Sequence, residues 1–199
     1  MKILVVGEGH SSIHEVAVNQ AFRKLGYQSK LFTWHNYFRS KNLFLNIYYR
    51  AQNKFLFGPK IEDLNKDLIK KIIKFKPDLI FVYRGTHIKP QTISNMKFIL
   101  PNCKVFGYNN DDPFSSDHPF WLWRLFKKCI PHYDLMFAYR YHNLIDFMKN
   151  KANGVALLRS WFIPELNFKT TLSKKEKLKY ESDVVFVGHY ENDGRLEFL

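Results

Sequence analysis

Two things are scarce in this chain of 199 residues: cysteine, with two copies, and carboxylates along one long stretch. Cys103 and Cys129 allow at most one bridge and fit no metal-ligand spacing. That excludes a disulfide-stapled or zinc-clamped scaffold and suits a reducing compartment. No run approaches the roughly 20 apolar residues of a membrane span. The apolar opening after Met1-Lys2 is cut by Gly7, Glu8 and Gly9, too soon for a signal peptide. The expected location is therefore cytoplasmic. Residues 16–61 contain neither Asp nor Glu, yet hold Arg23, Lys24, Lys30, Arg39, Lys41, Arg50, Lys54 and Lys60. With a net charge of +13, such a field attracts polyanions: an acidic lipid surface, acidic or phosphorylated glycans, or nucleic acid. An ordinary lysine-rich surface accounts for the total equally well, but for the acid-free gap less well.

What is present is a series of short apolar runs separated by helical periodicity. Residues 2–7 (KILVVG), 28–34, 78–84 (DLIFVYR), 104–108 (KVFGY), 134–139 and 154–159 read as strands. Ile61, Leu64, Leu68, Ile72 and Phe75 mark a helix that Pro77 ends. Helices are also expected from Ser12-Ile13-His14-Glu15 as a capping box, after Pro90, over 119–130 and over 142–149. Strands alternating with helices predict an α/β fold, a doubly wound, Rossmann-like parallel sheet with ligands beyond the carboxyl ends of its strands. The polar segment 164–182 reads as a linker. Residues 183–188 (DVVFVG) then repeat the strand-to-glycine opening. The expected domains are 1–163, the linker, and at 183–199 the first strand and turn of a second domain.

Several residues can carry chemistry. Gly7-Glu8-Gly9-His10-Ser11-Ser12 imitates a dinucleotide fingerprint, with Ser12 in place of the third glycine. The second strand ends in Thr33-Trp34-His35-Asn36, without the acid that would hold a ribose, which argues against NAD. The turn is either a substrate-contacting loop, through Gly7, Gly9 and Ser11, or a tight strand-to-helix connection. His10 lies at the ligand edge and is a candidate general base. Asp111 and Asp112 follow the fourth strand beside Asn110. They read either as cleft carboxylates acting on sugar hydroxyls or as part of an Asx turn before Pro113. Arg84, ending the third strand, is placed to hold an anion or to form a surface ion pair. Residues 38–57 align Phe44, Tyr48, Ala51 and Phe55, with Arg39, Arg50 and Lys54 beside them. That stripe is either plain core or a peripheral membrane contact.

In order, the opening KILVVGEGHSS, the turn Asn110-Asp111-Asp112-Pro113 and Tyr133-Asp134-Leu135-Met136-Phe137 leading to Tyr139 form a pattern. It continues with the strand near Leu157, Pro164 beyond it, and the closing DVVFVGHYENDGR. This ordered set resembles the CgeB-like glycosyltransferases (spore-protein YkvP/CgeB type). The resemblance implies a GT-B enzyme of two facing Rossmann-like domains, of which this chain is the N-terminal, acceptor-side half. It implies transfer from a nucleotide-sugar to a glycan, lipid-linked or protein acceptor, with no cofactor, no obligatory metal and no nucleic-acid partner. It places Gly188 and Arg195 near the donor diphosphate, and Asp111 and Asp112 in the cleft. A donor domain needs on the order of 150 residues beyond Leu199. The alternative expectation is a non-catalytic α/β module that binds an acidic glycan, a membrane surface or another polyanion.

Overall fold

The computed structural model describes residues 1–185, and the chain divides into two compact units, Met1–Ile163 and Pro164–Leu199. The first unit runs β1 (Lys2–Gly7), α1 (Glu15–Lys24), β2 (Gln28–Thr33), a 3-10 turn (His35–Phe38), α2 (Leu43–Phe55) and α3 (Pro59–Phe75). It continues with β3 (Leu79–Tyr83), α4 (Pro90–Ile99), β4 (Lys104–Asn109), α5 (Arg124–Cys129), β5 (Leu135–Ala138), α6 (Tyr141–Lys149) and β6 (Val155–Leu157). All six strands are parallel, in the order β2-β1-β3-β4-β5-β6. This is the doubly wound, Rossmann-like sheet that the strand runs predict.

Alternation along each strand sorts the core into two layers. Leu4, Val6, Ile80, Val82, Val105 and Met136 face the helices α3 to α6 and meet Ile61, Leu64, Leu68 and Ile72 of α3. Ile3, Val5, Phe81, Tyr83 and Tyr108 face the other way. There the helical cover comes from Val18 and Phe22 of α1, joined by Trp161 after β6. Phe106 and Phe137 on that second face stay half-buried. Burial of such side chains is worth roughly 1.5–3 kcal/mol each, and most of it lies on the first face.

The helix ends follow local chemistry. Gly58 caps α3 with Pro59 in its first turn; Lys76, in a left-handed conformation, and Pro77 close it. Asn42 caps α2 by accepting from the Leu45 N–H at 3.1 Å. The capping box expected at Ser12 does not form. His14 occupies the cap position without a side-chain bond, and Glu15 turns back toward the β1 turn instead. The 119–130 stretch is helical only from Arg124.

The second unit holds α7 (Lys174–Tyr180), so the segment read as a linker contains a helix. A capping box of Ser173 and Glu176 starts it. Val184 and Val185 lie outside the sheet. The rest of the 183–188 strand, with Gly188 and Arg195, lies outside the described residues.

Candidate functional site

The strand order reverses between β1 and β3: α1 covers one face after β1, and α4 covers the other after β3. Connections diverging to opposite faces leave a crevice at the carboxyl ends of those two strands. The chain puts Gly7-Glu8-Gly9-His10 on one side of it and Arg84-Gly85-Thr86-His87 on the other.

The β1 turn is fixed by its neighbours. Gly9 has φ +86°, and a side chain there would run into Thr33. Glu8 accepts from the His35 N–H at 2.8 Å, tying the turn to the end of β2. The Gly9 N–H donates to the carboxylate of Glu15, which is 1% exposed. A Cβ on Gly7 would collide with that same Glu15 side chain. Gly7→Ala is therefore expected to cost about 1–3 kcal/mol of stability, read as a lowered denaturation midpoint with unchanged slope. An unaltered midpoint would show that the Glu15 packing is not needed.

This carboxylate changes what the turn can do. In a phosphate-binding loop the backbone N–H groups face the anion. Here the Gly9 N–H is taken by Glu15, whose charge would also repel a phosphate. The turn is built to place its side chains.

Those side chains are imidazoles around a carboxylate. His10 Nδ1 lies 3.3 Å from Glu8, and His35 Nδ1 lies 3.8 Å from it. The His10 ring is 5.8 Å from His14 and 6.1 Å from His35. His14 stacks on Tyr83 at 5.1 Å, and burial lowers its pKa so that it stays neutral near pH 7. Glu8, His10, His14 and Arg84 line one small cavity, so the structure brings together β1-turn and β3-end candidates. Ser11 sits on the same turn and accepts from the Ile13 N–H at 3.4 Å.

Arg84 takes a left-handed conformation (φ 60°), followed by Gly85 at φ 50°. A non-glycine residue held there costs of order 1 kcal/mol and persists where its surroundings over-determine it. Its N–H donates to Tyr108 at 2.7 Å, and its guanidinium lies 5.3 Å above Trp123 and 2.8 Å from Asp111. Arg84 thus joins the ends of β3 and β4 and spends part of its charge on Asp111. Asp112 points elsewhere. It accepts from Phe114 N at 2.9 Å, Asn143 Nδ2 at 2.8 Å and His142 Nε2 at 2.9 Å, clamping the β4 turn to α6. Burial pushes its carboxyl up, and these three bonds outweigh that, leaving it below the ordinary value. Asn110 offers its carbonyl to Arg140 at 3.0 Å, and its side-chain oxygen has no partner among the described residues.

Sequence reading missed Glu15 as a buried partner of the loop, Glu8 and His35 as companions of His10, and His87. His87 is buried between Trp34 and Phe38, each ring 5.2 Å away. Its Nδ1 pairs with Thr86 at 2.8 Å and its Nε2 with Asn53 at 2.7 Å. Burial drives its pKa down to about 3, with a smaller push from Arg84. The available signal was its place in Arg84-Gly85-Thr86-His87, just past a buried strand.

Among the described residues no three His, Cys, Asp or Glu side chains gather as a metal-ion site. Cys103 and Cys129 are both buried and unbridged. No described helix is long and apolar enough to cross a membrane. Phe44 and Tyr48 of α2 are 82% and 52% exposed, so the aromatic stripe is not core.

The chain matches no protein-family model and no curated protein sequence. Among solved structures it is similar to Anabaena Alr3699/HepE, crystallised in complex with UDP and glucose, with a TM-score of 0.56 and 13% identity. The likeness covers 90% of this chain and 50% of that one, so the chain spans about half the length of the structure it matches. At that identity, what the two proteins share is the fold.

Proposed function

We propose that this chain is the acceptor-side half of a GT-B glycosyltransferase that moves a sugar from a nucleotide-sugar to a glycan, lipid-linked or protein acceptor. The observation that carries the reading is the Glu15 carboxylate under the β1 turn. It occupies the amide a diphosphate would use, and leaves His10 at the switch point of the sheet. A nucleotide half would keep that amide free; an acceptor half needs a base there. The neighbour of similar fold and about twice this length, solved with UDP and glucose, supports the same reading.

In this scheme His10, oriented by Glu8, takes the proton of the acceptor hydroxyl. The acceptor oxygen bonds to the sugar's anomeric carbon as the bond from that carbon to the diphosphate oxygen breaks, and the diphosphate leaves with the electron pair. Asp111 holds Arg84 at the crevice, and Asp112 keeps the β4 turn against α6. Gly188 and Arg195 would meet the donor diphosphate from the second domain. No cofactor and no obligatory metal enters this scheme. The test is calorimetry with UDP-sugars on residues 1–199 and on the same residues joined to a donor domain after Leu199. Nucleotide-sugar affinity and sugar release are expected only in the longer protein. Tight binding by residues 1–199 alone would overturn the division of labour.

The exposed face of α2 favours a further partner, an anionic membrane at the cytoplasmic side. Leu43, Phe44, Ile47 and Tyr48 all face solvent, with Lys41, Arg50 and Lys54 nearby and no acid between residues 16 and 61. Each basic residue near an acidic bilayer adds about 1 kcal/mol. Liposomes with acidic lipid are expected to retain the protein and salt to weaken retention. The double variant Phe44→Asp, Ile47→Asp is expected to lose it while keeping its melting temperature within a few degrees. Equal retention by neutral liposomes, or by the double variant, would remove the membrane from the proposal. Retention without any transfer activity in the longer protein would instead favour the non-catalytic polyanion-binding module.

A further inference from the structure

A cavity of about 480 Å³ opens beside the β1 turn, between the end of β2 and α2. Its size suits a mono- or disaccharide. Arg39 and Arg50 line it together with Asn46, Asn53, His35 and Glu8.

Its polar groups are mostly donors. The Asn53 side-chain oxygen is used by His87 at 2.7 Å, and the Asn46 oxygen by the Ser40 N–H at 3.3 Å. The NH2 groups of both amides have no partner among the described residues. Arg39 and Arg50 form no ion pair with any described residue, and no carboxylate lies near them in sequence. Glu8 is the cavity's one acid, already flanked by His10 at 3.3 Å and His35 at 3.8 Å. The two guanidinium groups outnumber the single Glu8 carboxylate, so the cavity favours an anion. Paired guanidinium groups suit phosphate or carboxylate oxygens by geometry as well as charge.

Glu8 lines both this cavity and the smaller one that holds His10. A ligand anchored at the arginines would reach the base with its other end. We propose that this cavity binds the acceptor by an anionic group, a phosphate or carboxylate carried on a sugar. Arg39 and Arg50 hold the anion, and Asn46 and Asn53 donate to ring or hydroxyl oxygens. The inference rests on the reading that the His10 side is the acceptor side.

The experiment is a calorimetric titration of residues 1–199 with glucose 6-phosphate, glucuronate, glucose and inorganic phosphate. At least one anionic sugar is expected to bind about tenfold or more tightly than glucose and than inorganic phosphate. The stronger of the two identifies the anion. The double variant Arg39→Ala, Arg50→Ala is expected to reduce that affinity to the level of glucose, while Lys66→Ala, on the outer side of α3, leaves it unchanged. Both arginines are exposed, so the melting temperature of the double variant is expected to stay close to that of the parent. Equal affinity for glucose and the anionic sugars, no binding of any of them, or an undiminished double variant would overturn the proposal. Inorganic phosphate binding as tightly as the sugar phosphate would reduce the site to a free-anion site and overturn the acceptor assignment. No donor or turnover enters these titrations. If sugar transfer fails while they succeed, the transferase reading falls and the anionic-sugar site stands.

Discussion

Sugar transfer by residues 1–199 joined to a donor domain is expected to fall at least about 100-fold when His10 becomes alanine, with nucleotide affinity unchanged. His10 is the imidazole of the β1 turn, its Nδ1 3.3 Å from the Glu8 carboxylate. Glu8→Gln should leave the base in place but poorly oriented, giving a smaller loss. A His10→Ala protein that turns over at the parent rate would remove His10 from the chemistry. Loss of nucleotide affinity in the same variant would place the donor, rather than the acceptor, against the β1 turn.

The second large effect is on stability and comes from His87. Its pKa in the folded chain is about 3, against an ordinary value of 6.5. As pH falls below about 6.5 the unfolded chain takes up a proton that the native chain refuses until about pH 3. Stability is therefore whole above 6.5 and declines on acidification, by up to about 1.4 kcal/mol per pH unit. His14, also lowered, adds to the same decline. Between pH 7 and 5 the expected loss is about 1–2 kcal/mol, a melting-temperature drop of several degrees for a chain of this size. That window lies above the range where Asp67, Asp112 and Asp134, all held below the ordinary carboxylate value, begin to lose their own contributions. His87→Gln is expected to start less stable but to lose most of the slope between pH 7 and 5. An equal slope in parent and variant would show that His87 takes up its proton as readily in the folded chain as in the unfolded one.

Much of the architecture was legible in the chain. Buried parallel strands have no polar face, so KILVVG and DLIFVYR read as strands without a partner in view. The α3 face repeats every three to four residues, between Gly58-Pro59 and Pro77. The capping box at Ser12 misled because the same Glu15 had a stronger use. A buried carboxylate needs donors, and the Gly9 N–H lay within its reach. The stripe on α2 stayed open between core and surface in the sequence, because helical spacing says which residues share a face and not what covers it.

The site was legible only as a set of candidates. His10, Arg84 and Asp111 could each be named from their places at strand ends. That Arg84 pairs with Asp111, and that Asp112 instead clamps α6, depends on where β4 and α6 lie beside β3. The sequence by itself determined the parallel α/β sheet, the edge at which ligands would meet it, and the basic, acid-free stretch, since each follows from local composition and period. Only the tertiary structure decided that the glycine turn is satisfied by a buried carboxylate, that His87 is held neutral, and that Arg39 and Arg50 share a cavity. Each depends on side-chain placement that composition and period do not specify: the Gly9 to Glu15 bond on how the turn folds back, the Asn53 partner of His87 on how α2 packs beside the end of β3, and the shared cavity on how the chain bends between Arg39 and Arg50.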